Sequence, residues 1–127
     1  MTARQSFSSG QTFTAAQANA LAESTIAVNA QGTATSYTLA LTDAGKLVTF
    51  TGAAATVTIP TNATVALAVG DQINIAQLGT AQVTIGTASG VTLVSAGSKT
   101  KTNGQYAVVT VVQYTANSWL LLGNTST

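Results

Sequence analysis

Few side chains in this sequence are suited to chemistry. There is no His, so the usual proton shuttle at neutral pH is missing. There is no Cys, which removes disulfides, thiolate nucleophiles and cysteine metal sites. The acids are Glu23, Asp43 and Asp71. Glu23 falls in a predicted helix, so a carboxylate pair for glycoside hydrolysis would have to join Asp43 to Asp71. Both stand near Gly, in Asp43-Ala44-Gly45 and Gly70-Asp71. An Asp in such a turn usually accepts hydrogen bonds from its own backbone, and that is the preferred reading. Ser98 and Lys99 are adjacent and would face opposite ways on a strand, which excludes a Ser–Lys pair. A hard-ion site needs several oxygen ligands, and the spacing of the two Asp residues does not demand one. No enzyme, cofactor or metal is expected.

Binding chemistry is also sparse. The cations are Arg4, Lys46, Lys99 and Lys101. Phosphate recognition uses a basic cluster, and Lys99 with Lys101 on one strand face is too little, so no nucleic-acid partner is expected. These lysines read better as solvated edge residues that discourage aggregation. The polar-tipped aromatics are Tyr37, Tyr106, Tyr114 and Trp119. Even spacing places Tyr106 and Tyr114 on one strand face, where a sugar ring could stack. Packing in the core or at a subunit contact is the preferred reading, above all for Trp119 in its apolar run.

The elements that position these residues follow from composition. Hydrophobic residues make up 46% of the chain and charged residues only 6%, against about 25% charged in ordinary soluble domains. Disordered chains show the reverse balance. Thr alone is about one residue in five, a strand-favouring bias. A net charge of +1 gives no long-range steering field. A surface of hydroxyls, amides and alanine suits close contact with other protein, because little charge is desolvated on burial. The chain is therefore expected to live in an assembly. No apolar run approaches the roughly 18 residues of a membrane span. Met1–Gly10 lacks the apolar core of a secretory signal, so export by that route is not expected.

Along the chain, residues 1–32 are expected to form an attachment region and residues 33–127 a β domain. Residues 1–13 read as an extended arm with Phe7 and Phe13 as apolar anchors. Residues 14–25 read as one short helix, with Thr14 and Gln17 as a capping box and Leu21 on its weak apolar face. A helix this short needs a packing partner. Val28–Gly32 reads as a turn or linker. From about residue 35 the apolar period becomes two. The predicted strands are Tyr37–Thr42, Leu47–Thr51, Thr56–Ile59, Val65–Val69, Gln72–Leu78, Ala81–Ile85, Val91–Val94, Gln105–Thr115 and Ser118–Leu122. About eight or nine short strands at this spacing predict an all-β fold, a small antiparallel β-sandwich or barrel. No strict internal repeat is visible. The last two strands are apolar on both faces, so one face is expected to meet the core and the other a neighbouring subunit. Val109, Val111, Trp119, Leu120 and Leu122 are the expected interface residues.

The order of several segments resembles a β-rich module of tailed-phage structural proteins. They are Tyr37-Thr38-Leu39, Thr42-Asp43-Ala44-Gly45-Lys46-Leu47-Val48, Thr58-Ile59-Pro60 and Val69-Gly70-Asp71-Gln72-Ile73. Gln77-Leu78-Gly79, Gly90-Val91-Thr92-Leu93, Gln105-Tyr106-Ala107 and Trp119-Leu120-Leu121-Leu122-Gly123 follow. Phe13-Thr14-Ala15-Ala16-Gln17-Ala18-Asn19-Ala20-Leu21 is similar to a motif near the start of phage minor structural proteins. The resemblance covers nearly the whole chain. It implies a non-catalytic virion component on the particle surface, often trimeric, on capsid or tail. Its brevity favours a capsid decoration (cement) or head-fibre subunit that binds the major capsid protein or another virion protein. The alternative is a tail-fibre or tail-tip module that recognises a host-surface glycan or receptor.

Overall fold

A computed structural model describes Ala15 and residues 26–127. Apart from Ala15, the expected arm and helix, with Phe7, Phe13 and Leu21, lie outside the described residues.

The described chain is all-β. Its strands are β1 (Val28–Gly32), β2 (Ser36–Thr38), β3 (Leu47–Phe50), β4 (Ala55–Ile59), β5 (Gln72–Gln77) and β6 (Val83–Thr87), followed by β7 (Thr92–Ser95), β8 (Lys101–Thr102), β9 (Val108–Thr115), β10 (Ser118–Gly123) and β11 (Thr125–Ser126). They form two sheets. The six-stranded sheet has the order β1-β3-β5-β9-β10-β7, and the five-stranded sheet the order β11-β8-β6-β4-β2. Both sheets are mixed, which departs from the antiparallel arrangement expected from the strand spacing.

The mixture has a topological cause. From β1 to β6 the chain alternates between the sheets, so β1, β3 and β5 pair in parallel in one sheet. Likewise β2, β4 and β6 pair in parallel in the other. The polypeptide thus winds three two-strand circuits before a mostly antiparallel ending, in which β7 lies parallel to β10. There β9 pairs with β5 and β10, and β8 with β6 and β11. The circuits differ in length: Val28 pairs with Leu47, but Leu47 pairs with Asn74, a longer step. This unevenness hides the winding from a search for a fixed sequence period.

Several predicted boundaries move. Val28–Gly32 is a strand of the large sheet, not a turn or linker, and pairs with Leu47–Phe50 on the far side of the expected division after residue 32. The first predicted strand stops at Thr38, and Leu41–Asp43 forms a 3-10 turn. The Asp43 carboxylate accepts the Ala40 N–H at 2.8 Å, which favours a turn over continued extension. Asp43-Ala44-Gly45-Lys46 then makes the predicted tight turn. Ala44 has φ −53° and ψ 122°, Gly45 has φ 77°, and Lys46 N–H donates to the Asp43 carbonyl at 2.9 Å. These are type II values, for which Gly is the natural third residue. Val65–Val69 is a loop: Val65 N–H donates to the Thr61 carbonyl, Leu67 is buried and Val69 is exposed.

One core fills the space between the sheets. Val48, Phe50, Ile73, Ile75, Val109, Val111, Trp119 and Leu121 enter from the large sheet, and Ala55, Val57, Ile59, Val83 and Ile85 from the small one. These are alternate residues of their strands, as the pleat requires. Among the described residues no helix is long and apolar enough to cross a membrane.

Candidate interaction faces

The expected interface residues divide by parity. Val109, Val111 and Trp119 are fully buried in the domain's own core, so their assignment to a subunit contact is corrected. Leu120 and Leu122 point the other way and are 41% and 46% exposed. Once Trp119 points inward, its neighbours on β10 must point outward. Registry carries that outer face across the sheet. Leu120 pairs with Val112 on one side and with Val94 on the other. Leu122 pairs with Thr110, Thr110 with Asn74, Asn74 with Leu47, and Leu47 with Val28. None of these side chains is ionisable. The sequence reading missed Val94, Val108 and Val112 on this face. Alternation through β9 to either side of Gln113, read against the inward Trp119, was the signal that would have found them.

Two polar side chains at the middle of this face are already paired. Thr110 Oγ1 donates to Asn74 Oδ1 at 2.7 Å, and Asn74 Nδ2 lies at 3.5 Å from the Lys46 carbonyl. Covering these atoms with protein would cost less than covering unpaired ones.

The outer face of the small sheet is different. Ser36 pairs with Thr56 and Tyr37 with Val57, so Ser36, Thr38, Thr56 and Thr58 share the side opposite the buried Val57. Thr84 continues the row from Thr56, and Lys101 follows Thr84. This face offers hydroxyls and one ammonium group.

The two Asp residues do what the turn reading expects. Asp71 accepts the Ala68 N–H at 2.9 Å. Asp43 is fully buried and anchors a network under the first circuit. Besides the Ala40 N–H, it accepts Asn29 Nδ2 at 2.8 Å and the Tyr37 hydroxyl in a short bond. Asn29 Nδ2 also donates to the Tyr37 oxygen at 2.9 Å, and Gln31 Nε2 donates to Asn29 Oδ1 at 2.9 Å. Burial pushes the Tyr37 hydroxyl up to about 12 from its usual 10.0; its bond to Asp43 and that carboxylate's charge add to the rise, and the Asn29 amide opposes it. The network ties β1, β2 and the following turn together. Among the described residues no group of three or more acidic side chains gathers as a metal site would require.

Tyr106 and Tyr114 do not form the shared platform that their spacing suggested. Tyr106 precedes β9 with a left-handed φ of 69°, which breaks the alternation, while Tyr114 lies near the far end of that strand. Seven steps of strand separate the ends of β9, about 23 Å. Lys99 ends a short 3-10 turn and only Lys101 is in β8, so they are not a strand pair.

The described residues form an all-β domain with two exposed sheet faces. No protein-family model matches the chain, and no curated protein matches it.

Proposed function

We propose that the chain is a non-enzymatic structural subunit of a tailed-phage particle. In this reading it is a capsid decoration or head-fibre subunit, homotrimeric through its β domain. Residues 1–32 include the attachment arm, with Phe7, Phe13 and Leu21 as anchors on the major capsid protein or another virion protein. The observation that carries the reading is the division of the surface into an uncharged aliphatic sheet face and a hydroxyl-rich one. Both Asp residues of the β domain are meanwhile occupied with their own turns. Such a surface favours many small protein contacts, which sum to high avidity when an oligomer engages several shell subunits at once.

Deletion of residues 1–13 tests the attachment role. The truncated chain should stay folded and oligomeric and no longer decorate particles. Full occupancy of particles by the truncated chain would refute it. A second reading, host-surface recognition from a tail fibre or tip, is favoured by Tyr106. That ring is 71% exposed on a backbone conformation that an aromatic residue adopts at a cost. Antibody labelling of particles distinguishes the two by marking the shell or the tail tip.

A further inference from the structure

We propose that the outer face of the six-stranded sheet is the surface through which copies of this chain meet. The inference rests on the structural-subunit reading only for the number of copies; the face itself is argued from its geometry. The six strands hold 33 residues between them, and at about 4.8 Å by 3.3 Å per residue the face measures about 520 Å² in projection. Corrugation by side chains raises the accessible area towards the 600–1,000 Å² or so that each partner contributes to a stable interface.

Its chemistry fits a second copy. Val94, Val108, Leu120 and Leu122 are each between 41% and 46% exposed and lie on adjacent strands. Monomeric proteins rarely leave so continuous an aliphatic surface in water. No ionisable side chain lies on the paired rows from Val94 to Gln72 or from Leu122 to Val28. Two copies therefore meet without like-charge repulsion, and a contact of this kind gains nothing from a charged partner. The Thr110–Asn74 bond satisfies both polar groups at the middle of the face before any partner arrives, so association need not supply replacements. The opposite sheet lacks this combination: its outer rows carry Thr56, Thr84 and the Lys101 ammonium group.

Sedimentation equilibrium of the full chain tests the proposal, with variants on each face. The unaltered chain should be oligomeric. Leu120→Lys with Leu122→Lys should weaken association by at least about a hundredfold, since each change places an unpaired charge in a desolvated contact. Leu120→Ala with Leu122→Ala should weaken it by a smaller factor while keeping the circular dichroism of the unaltered chain, which separates loss of contact from loss of fold. Thr56→Lys, on the other sheet, should leave association unchanged. A monomeric unaltered chain overturns the proposal, as does an oligomer indifferent to the Leu120 and Leu122 changes. Monomers that bind particles and lose that binding with the lysine pair also overturn it, in favour of a shell protein as occupant. A dimer dissociated by these same changes supports the shared face and refutes only the trimer of the functional reading.

Discussion

Replacing Tyr37 with Phe isolates the hydroxyl that links the first circuit to its turn. The hydroxyl donates to Asp43 and accepts from Asn29, so Tyr37→Phe removes two bonds and adds no bulk. Hydrogen bonds to charged groups contribute about 1.5–3 kcal/mol net. Tyr37 is only half-buried and Asp43 keeps Ala40 N–H and Asn29, so the expected loss is about 2 kcal/mol, near the lower half of that range. For a domain of this size that corresponds to about 8 °C in Tm. The pH dependence gives an independent check. The folded state holds the Tyr37 proton up to about 12, above the 10.0 of the free side chain. Folding therefore favours the protonated form: the contribution is complete below pH 10 and is lost as pH rises through the interval up to about 12. Urea denaturation of both proteins at neutral pH and at about pH 11 should show the gap between them narrowing at the higher pH. A neutral-pH cost below about 0.5 kcal/mol, the scatter of surface substitutions, would refute the network's role. So would a gap that widens with pH.

Two further substitutions test the other end of the core. Thr102 Oγ1 donates to Gln77 Oε1 and accepts Val83 N–H at 3.0 Å, all within the buried interior. Thr102→Val should therefore cost about 1–3 kcal/mol in urea denaturation by orphaning the Val83 donor and the Gln77 acceptor; a neutral outcome would mean that neither bond matters. Gly79 faces the Thr51 carbonyl so closely that an added Cβ would sit 2.6 Å from its oxygen. Gly79→Ala should lower the thermal midpoint, at a cost of about 1–3 kcal/mol, and an unchanged midpoint would show that this loop yields freely.

The all-β class was legible because the apolar period of two and the turn residues agree along most of the chain. Asp43-Ala44-Gly45-Lys46 and the inward alternation of Ile73 and Ile75 are examples. What the sequence hid was mostly non-local. Parallel and antiparallel strands both alternate, so nothing in Val57 or Val48 reveals the direction of its neighbour. Val28–Gly32 has one side chain of strong strand propensity and reads as a linker, yet pairing with β3 makes it a strand. Tertiary context decides such segments. Val109, Val111 and Trp119 were placed on the wrong face for a different reason. Val108–Val112 and Trp119–Leu122 are apolar at nearly every position, so composition marked the right strands without saying which parity faces outward. Only the buried Trp119 settles that choice, and it moved Val109 and Val111 from the expected contact into the core.

The alternating winding also gives the architecture an unusual freedom to grow. A circuit inserted between β4 and β5 would add one strand to each sheet. It would displace the antiparallel ending along the stack by about 4.8 Å, the separation of neighbouring strands. Every new backbone donor and acceptor would find a partner in the circuit beside it. Length could thus change by whole turns of chain while the terminal strands kept their pairing, a route from a short subunit to an elongated rod that needs no new kind of junction.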